Sequence, residues 1–231
     1  MEKIRLENIE AQLYRKKVRN LNIRVCAPDG KVKISAPFRI NIERIYEFFS
    51  SKTQWVKKCQ NRILSRKYLL PLQFKNGEEH FFLGEKFVLE VVENAKKSCV
   101  KIENGILFLH VRGNSTKKKR AEILQKFYRD ELKKNVAQMI KKWEVVMNVL
   151  VADFGIKKMK TRWGTCNIRA RRIWINLELA KSPISCLEDI VIHEMVHLLE
   201  RNHTKRFFEL MDKFSASWRQ TKAKLREFPL R

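Results

Sequence analysis

The sequence predicts an α+β fold: a β-rich N-terminal region with one helix over residues 1–112, then a mainly helical region with a small antiparallel sheet over residues 113–231. Three observations carry that expectation. Apolar and polar residues alternate over short runs in the first half, the period of half-buried strands. Over two long stretches the period lengthens to three and four, the period of amphipathic helices. Between the halves lies Gly113-Asn-Ser-Thr-Lys-Lys-Lys-Arg120, a polar segment with the composition of a linker.

The elements follow in order. Leu21, Ile23 and Val25 share one face of a strand over residues 18–25. Pro28-Asp29-Gly30 is a turn signal, and Lys31 to Ala36 alternates again, which predicts a hairpin. From Asn41 to Leu64 the apolar positions Ile42, Ile45, Phe48, Phe49, Val56, Cys59 and Ile63 predict a helix. Four strands are expected over residues 79–83, 86–92, 100–102 and 106–111, with Gly77, Gly84 and Gly105 in the turns between them. Leu124, Phe127, Leu132, Val136, Met139, Ile140, Trp143 and Met147 form one stripe, which predicts a helix over about Lys117–Met147. Two more strands, 154–160 and 171–177, are expected to be joined by a turn containing Trp163-Gly164. A helix then begins near Ser182-Pro183, with Ser182 as N-cap or with Ser185-x-x-Glu188 as a competing capping box. A last helix, about Thr204–Leu225, presents Phe207, Leu210, Met211, Phe214 and Trp218 for packing. No internal repeat is evident.

Composition excludes several classes. Of 231 residues, 44% are apolar, enough to form a core and too many for a disordered chain. The longest stretches without a charge, Asn104–Val111 and Val145–Ala152, are far shorter than the ~20 residues a spanning helix needs, so no membrane association is expected. The N-terminal residues alternate charges and lack the apolar core of a secretory signal, and the five cysteines form no CxxC pair. A cytoplasmic location with reduced thiols is therefore expected. The net charge of +25 admits a polyanionic partner, a nucleotide or nucleic acid. The excess is nevertheless spread along the chain, with 23 basic against 12 acidic residues in 1–112 and 27 against 13 in 113–231. One stretch, Lys157–Arg172, carries seven basic residues and no acidic one.

Chemistry concentrates in the helix after residue 183. His193-Glu194-Met-Val-His197 places two imidazoles one turn apart on one face, the spacing with which a helix offers two ligands to Zn²⁺. Glu194, beside the first imidazole, is placed to act as general base and acid. The surrounding residues Ile190, Val191, Ile192, Met195, Val196, Leu198 and Leu199 are apolar, and a buried His-Glu-His set without partners would be costly. His203 is the expected third ligand, with Glu200 as a rival or as a carboxylate supporting an imidazole. A straight helix would carry His203 about 9 Å beyond His197 and ~120° away in azimuth. The helix is therefore expected to end first, with Asn202 in a left-handed cap. Cys166 is read as a packing residue, and His80 and His110 as ordinary histidines of the strand region.

Thr161-Arg162-Trp163-Gly164-Thr165-Cys166-Asn167, Trp174-Ile-Asn176-Leu, Ile192-His-Glu-Met-Val-His-Leu198 and Asn202-His203-Thr204-Lys205-Arg206-Phe207 form an ordered series. It resembles the YgjP-like metallopeptidase family, a zincin branch related to the SprT-like and WLM metalloproteases. Weaker agreement extends to Arg15–Val25, Asp29-Gly30, Ser35-Ala-Pro37, Lys52-x-x-Trp55 and Phe82-Leu-Gly84, so the likeness spans nearly the whole chain. Trp-Gly-Thr-Cys stands where the family has Trp-Gly-Ser-Cys, which keeps the hydroxyl. The resemblance implies that residues 113–231 form a minimal zincin-like metallopeptidase domain, with zinc held by His193, His197 and His203 and Glu194 catalytic. It also implies an edge strand near Arg171–Leu177 that pairs with an extended peptide or protein substrate, close to the Trp163-Gly164 turn. Arg162, Trp163, Gly164, Arg171 and Trp174 are the candidate substrate-binding residues. Two alternatives stand beside a peptidase: a metal-dependent nucleoside triphosphate pyrophosphatase using Arg162, Arg169 and Arg171, and a nucleic-acid-tethered protease of SprT-like type. The substrate and oligomeric state are not legible.

Overall fold

The computed structural model describes residues 2–26, 29–64 and 72–225, which leaves Pro28 of the expected turn outside the described residues. The chain divides into two compact units, residues 1–71 and 72–231.

In the first unit, β1 (Glu2–Leu6), β2 (Ile9–Lys16), β3 (Asn22–Cys26) and β4 (Lys31–Pro37) form a sheet ordered β1-β2-β4-β3, followed by α1 (Ile42–Leu64). The hairpins β1/β2 and β3/β4 are antiparallel, and β2 runs parallel to β4. Ile4, Ile9, Ala11, Leu13, Val32, Ile34 and Ala36 project from one face of the sheet and pack with Ile45, Phe49 and Val56 of α1. Alternation therefore builds this core, as expected for β3 and β4. It also builds β1 and β2, where interspersed charges hide the pattern. Gly30, at φ +68°, supplies the left-handed turn between β3 and β4.

The second unit opens with the same topology. Strands β5 (Glu79–Phe82), β6 (Glu85–Val92), β7 (Cys99–Glu103) and β8 (Ile106–His110) are ordered β5-β6-β8-β7, with β6 parallel to β8, and lead into α2 (Lys117–Met147). The register corresponds too: Leu89↔Leu107 and Val91↔Leu109 repeat Ala11↔Val32 and Leu13↔Ile34. This structural repeat has no counterpart in residue identity, because only burial and alternation are shared.

Residues 72–112 thus pack with α2, whereas the sequence reading placed a boundary after residue 112. Phe87, Leu89, Leu107, Leu109 and Val111 share one core with Leu124, Leu132 and Val136. The Tyr128 hydroxyl donates to the Phe81 carbonyl at 2.9 Å, and the Leu83 N–H donates to the Ala180 carbonyl at 2.8 Å. The segment expected as a linker caps α2 instead: Thr116 Oγ1 accepts from the Lys119 N–H, and Arg120 pairs with Glu93 at 2.6 Å.

Beyond α2 come β9 (Asp153–Lys157), β10 (Gly164–Asn167) and β11 (Arg172–Asn176), a 3₁₀ turn (Leu177–Lys181), α3 (Ile184–Val196), α4 (Lys205–Phe214) and α5 (Trp218–Leu225). The small sheet is ordered β10-β11-β9 and is mixed: β10 is antiparallel to β11, but β9 is parallel to it. The residues expected as a turn at Gly164 are therefore a strand. The last helix is also interrupted. Ser215, Ala216 and Ser217 separate α4 from α5, because the Ser215, Ser217 and Thr221 hydroxyls all donate to the buried Asp189 carboxylate of α3. Among the described residues no helix is long and apolar enough to cross a membrane.

Leu132 is fully buried midway along α2. Leu132→Ala is expected to cost about 2–5 kcal/mol of stability, read as a lowered urea midpoint with an unchanged denaturant slope.

Candidate active site

Helix α3 begins without a side-chain cap. Pro183 occupies the N-cap position, and its carbonyl accepts from the Cys186 N–H at 2.9 Å. The helix starts beside Ser182-Pro183 as expected, but neither expected side-chain cap forms, and the Ser182 hydroxyl donates to the Leu179 carbonyl of the 3₁₀ turn. Leu187, Val191, Ile192, Met195 and Val196 bury most of the helix surface, which brings His193, Glu194 and His197 to the edge of the core.

The helix stops at Val196. The Leu198 and Leu199 N–H groups donate to the Met195 and Val196 carbonyls, a tightening of the last turn. No left-handed residue is needed: the expected cap at Asn202 does not form, and His197 closes the helix in right-handed geometry. Thr204 then caps α4 by accepting from the Phe207 N–H, and His203, just before it, is carried back beneath α3.

His193, His197 and His203 consequently offer ligand atoms that all lie within 4.8 Å of one another. Among the described residues they are the group of His, Cys, Asp and Glu side chains able to hold a metal ion. His193 Nε2 and His203 Nε2 lie 3.2 Å apart, close to the roughly 3.3 Å that two nitrogens keep on a tetrahedral zinc with bonds of about 2.0–2.1 Å. Burial, with the neighbouring imidazoles and Lys222, pushes His193 down to about 3, so its lone pair is available at neutral pH. His197 is lowered by burial as well, and its Nδ1 lies 3.2 Å from the Glu200 carbonyl, a bond that turns Nε2 toward the cluster. The Glu200 carboxylate accepts from the Asn202 N–H at 3.2 Å and is not part of the cluster. Phe207 seats all three rings, with centroids 5.0, 4.8 and 4.6 Å away.

Glu194 is 5% exposed, and burial raises its carboxyl to about 8 against the opposing pull of Arg162. The backbone of β10 approaches it closely: a Cβ on Gly164 would fall 2.5 Å from Glu194 Oε1, so any side chain there would have to displace Glu194. Asn176, fully buried, holds the loop between β9 and β10. Its side-chain N–H groups donate to the Met159 and Arg162 carbonyls at 2.9 and 2.7 Å, and its N–H donates to the Trp163 carbonyl at 2.8 Å. Cys166 lies beside the site, but burial and the Glu194 carboxylate push its thiol up to about 11, which keeps it protonated.

The three imidazoles, Glu194, Gly164 and Cys166 line a cavity of about 850 Å³. Of the sequence-predicted residues, His193, Glu194, His197, His203, Arg162, Trp163 and Gly164 line it, while Arg171 and Trp174 do not. Arg171 occupies the turn before β11 at φ +45°, and Trp174 covers Gly155 with Lys157 over its ring. The basic stretch does not gather at the cavity either: Arg172 pairs with Asp153, Lys158 approaches Glu178, and Arg169 lies off the lining. Sequence reasoning missed Arg201, Phe208 and Lys222 as lining residues, and read Phe207 and Trp218 as packing alone. Phe208 stacks on Trp218 at 5.7 Å, a ladder whose spacing across the α4–α5 break no helical period announces. His80 is buried against Glu78 at 3.2 Å, away from the cluster, as an ordinary core histidine.

The sequence profile of the YgjP-like metallopeptidase domain matches residues 19–228. The chain therefore belongs to the YgjP-like metallopeptidase family. That membership implies a divalent metal, and the imidazole cluster is the donor set that fits one. No curated protein matches the chain. Among solved structures it is similar to the metallopeptidase zymogen abylysin of Pyrococcus abyssi, at 14% identity and TM-score 0.36, over 39% of this chain and 90% of that one. It is similar also to the zymogen jannalysin of Methanocaldococcus jannaschii, at 16% identity and TM-score 0.35, over 39% and 92%.

Asn176→Ala is expected to leave the Met159 and Arg162 carbonyls without their donor and to cost about 1–3 kcal/mol for each group left buried and unsatisfied. The lowered melting temperature should be accompanied by a changed fluorescence of Trp163.

Proposed function

We propose that this protein is a zinc-dependent metallopeptidase in which His193, His197 and His203 hold the metal and Glu194 is the general base and acid. The observation that carries the reading is the convergence of three imidazoles next to a buried carboxylate. Zinc, when bound, supplies Lewis acidity toward a peptide carbonyl and acidifies water. Glu194 accepts the proton of the attacking water as its oxygen bonds to the carbonyl carbon. It then delivers that proton to the amide nitrogen as the C–N bond breaks. Its raised proton affinity suits the second half of this task.

The sheet order supports an extended peptide as substrate. β11 is flanked on both sides, so the expected pairing edge cannot lie there, whereas β10 has one edge free of strands in its sheet and runs past Glu194. A peptide that adds to β10 would pass the imidazole cluster, with Arg162, Trp163, Phe208 and Trp218 around its side chains. A cytoplasmic site of action, where cysteines stay reduced, belongs to the same proposal.

Purified without chelator, the wild type is expected to hold about one zinc per chain by elemental analysis, and His203→Ala to lose it. Equal zinc in both would remove His203 from the ligand set. Glu194→Gln should keep the metal and lower turnover of an unfolded protein substrate at least ~100-fold. Gly164→Ala should likewise keep the metal while lowering kcat, because the added methyl displaces Glu194 and leaves the imidazoles in place.

A further inference from the structure

The two four-stranded sheets share one topology and one core pattern, so each is a control for the other's outward surface. In the first sheet, register aligns Lys3, Gln12, Lys33 and Arg24 in one row across all four strands. The corresponding positions across β6, β8 and β7 of the second sheet are Glu90, Phe108 and Lys101. That row is charge-balanced and partly apolar, as a merely solvated face is. The first is cationic, and it places Arg24 directly opposite Lys33 in an antiparallel pair, an arrangement that destabilises a sheet.

Arg5 and Lys16 project from the same outward face of the strands, opposite the core. Lys3 pairs with Glu10 at 2.9 Å, but among the described residues Arg5, Lys16, Arg24 and Lys33 form no ion pair. Tyr14 lies among them in the second strand from the edge. Its ring is approached by Lys16 Nζ at 5.1 Å and Lys33 Nζ at 5.9 Å, and its hydroxyl donates to Gln12 Oε1 at 2.9 Å, so the ring is held in place. Phe38, just past β4, is 64% exposed.

We propose that the open face of the β1-β2-β4-β3 sheet binds single-stranded nucleic acid, with Lys3, Arg5, Lys16, Arg24 and Lys33 along the phosphates and a base stacked on Tyr14. A preset aromatic ring amid unpaired cations on an open sheet matches what splayed bases and a phosphate backbone require. An anionic membrane would use the charge, but Tyr14 lies in an inner strand flanked by Lys16 and Lys33, a setting that suits a stacked base better than insertion into a bilayer. The face contains no residue of the proposed peptidase site, so its occupancy is independent of that reading.

The test is fluorescence anisotropy of the full chain with a labelled 20-nucleotide single-stranded DNA or RNA at about 50 mM salt, titrated upward. Saturable binding that weakens steeply with salt is expected. Arg24→Gln/Lys33→Gln should lower affinity at least ~10-fold and flatten the salt dependence, whereas Lys86→Gln/Lys101→Gln on the second sheet should change it less than ~2-fold. Tyr14→Leu should weaken single-strand binding more than duplex binding. Circular dichroism would confirm that the variants fold, and removal of Arg24–Lys33 repulsion should not destabilise them. Absence of oligonucleotide binding, equal loss from the two sheets, or binding only to phosphatidylserine vesicles with no effect of Tyr14→Leu would overturn the proposal.

Discussion

The imidazole cluster depends on where α3 stops. His193 and His197 meet on one face through helical geometry alone, but six further residues of helix would carry His203 away from them. The chain instead tightens after Val196, and the Thr204 cap of α4 fixes the next direction within a few residues. The 3.2 Å approach of His203 to His193 is thus a product of two helix termini. Phe207, one turn into α4, contacts all three rings and makes the position of α4 a condition of the cluster.

Two buried polar groups outside the cluster maintain that geometry. Asp189 lies one turn before His193 on α3 and gathers the hydroxyls of Ser215, Ser217 and Thr221, so the break between α4 and α5 is satisfied rather than merely tolerated. That break folds α5 back and brings Trp218 and Lys222 to the cavity. On the opposite side, Asn176 pins the β9–β10 loop, and Gly164 admits the β10 backbone against Glu194. The catalytic candidate is therefore confined between a strand backbone and a buried helix, in surroundings that raise its affinity for a proton.

The repeated sheet shows which features a topology constrains. Both copies keep their alternating apolar positions, because each must bury one face against its own helix or core. The outward faces are under no such constraint and have diverged, one to a charge-balanced surface and the other to a row of cations. Charge over the whole chain conceals this difference, since both sheets lie within residues 1–112, whose 23 basic and 12 acidic residues are counted together.

Local pattern was enough to locate much of this protein. Period-two alternation marked β3 to β8, period-3.6 stripes marked α1 and α2, and the His-x₃-His spacing with Glu194 marked the chemistry, because each of these is a property of residues near one another in sequence. The same local reasoning did not reveal the break at Ser215–Ser217, whose cause is a carboxylate 26 residues earlier. Nor did it show that β10 rather than β11 has the free edge, since strand order depends on pairings distant in sequence. Arg171 and Trp174 are near the Trp163-Gly164 segment along the chain but are turned away by the sheet, while Trp218 and Lys222 lie beyond the helix break, which brings them in. Local pattern alone picks out the imidazoles and the carboxylate proposed for the chemistry, and the helix that carries His193 and Glu194. The tertiary structure decided which strand, loop and aromatic residues surround them, because those neighbours are selected by long-range packing and by buried hydrogen bonds that no short window contains.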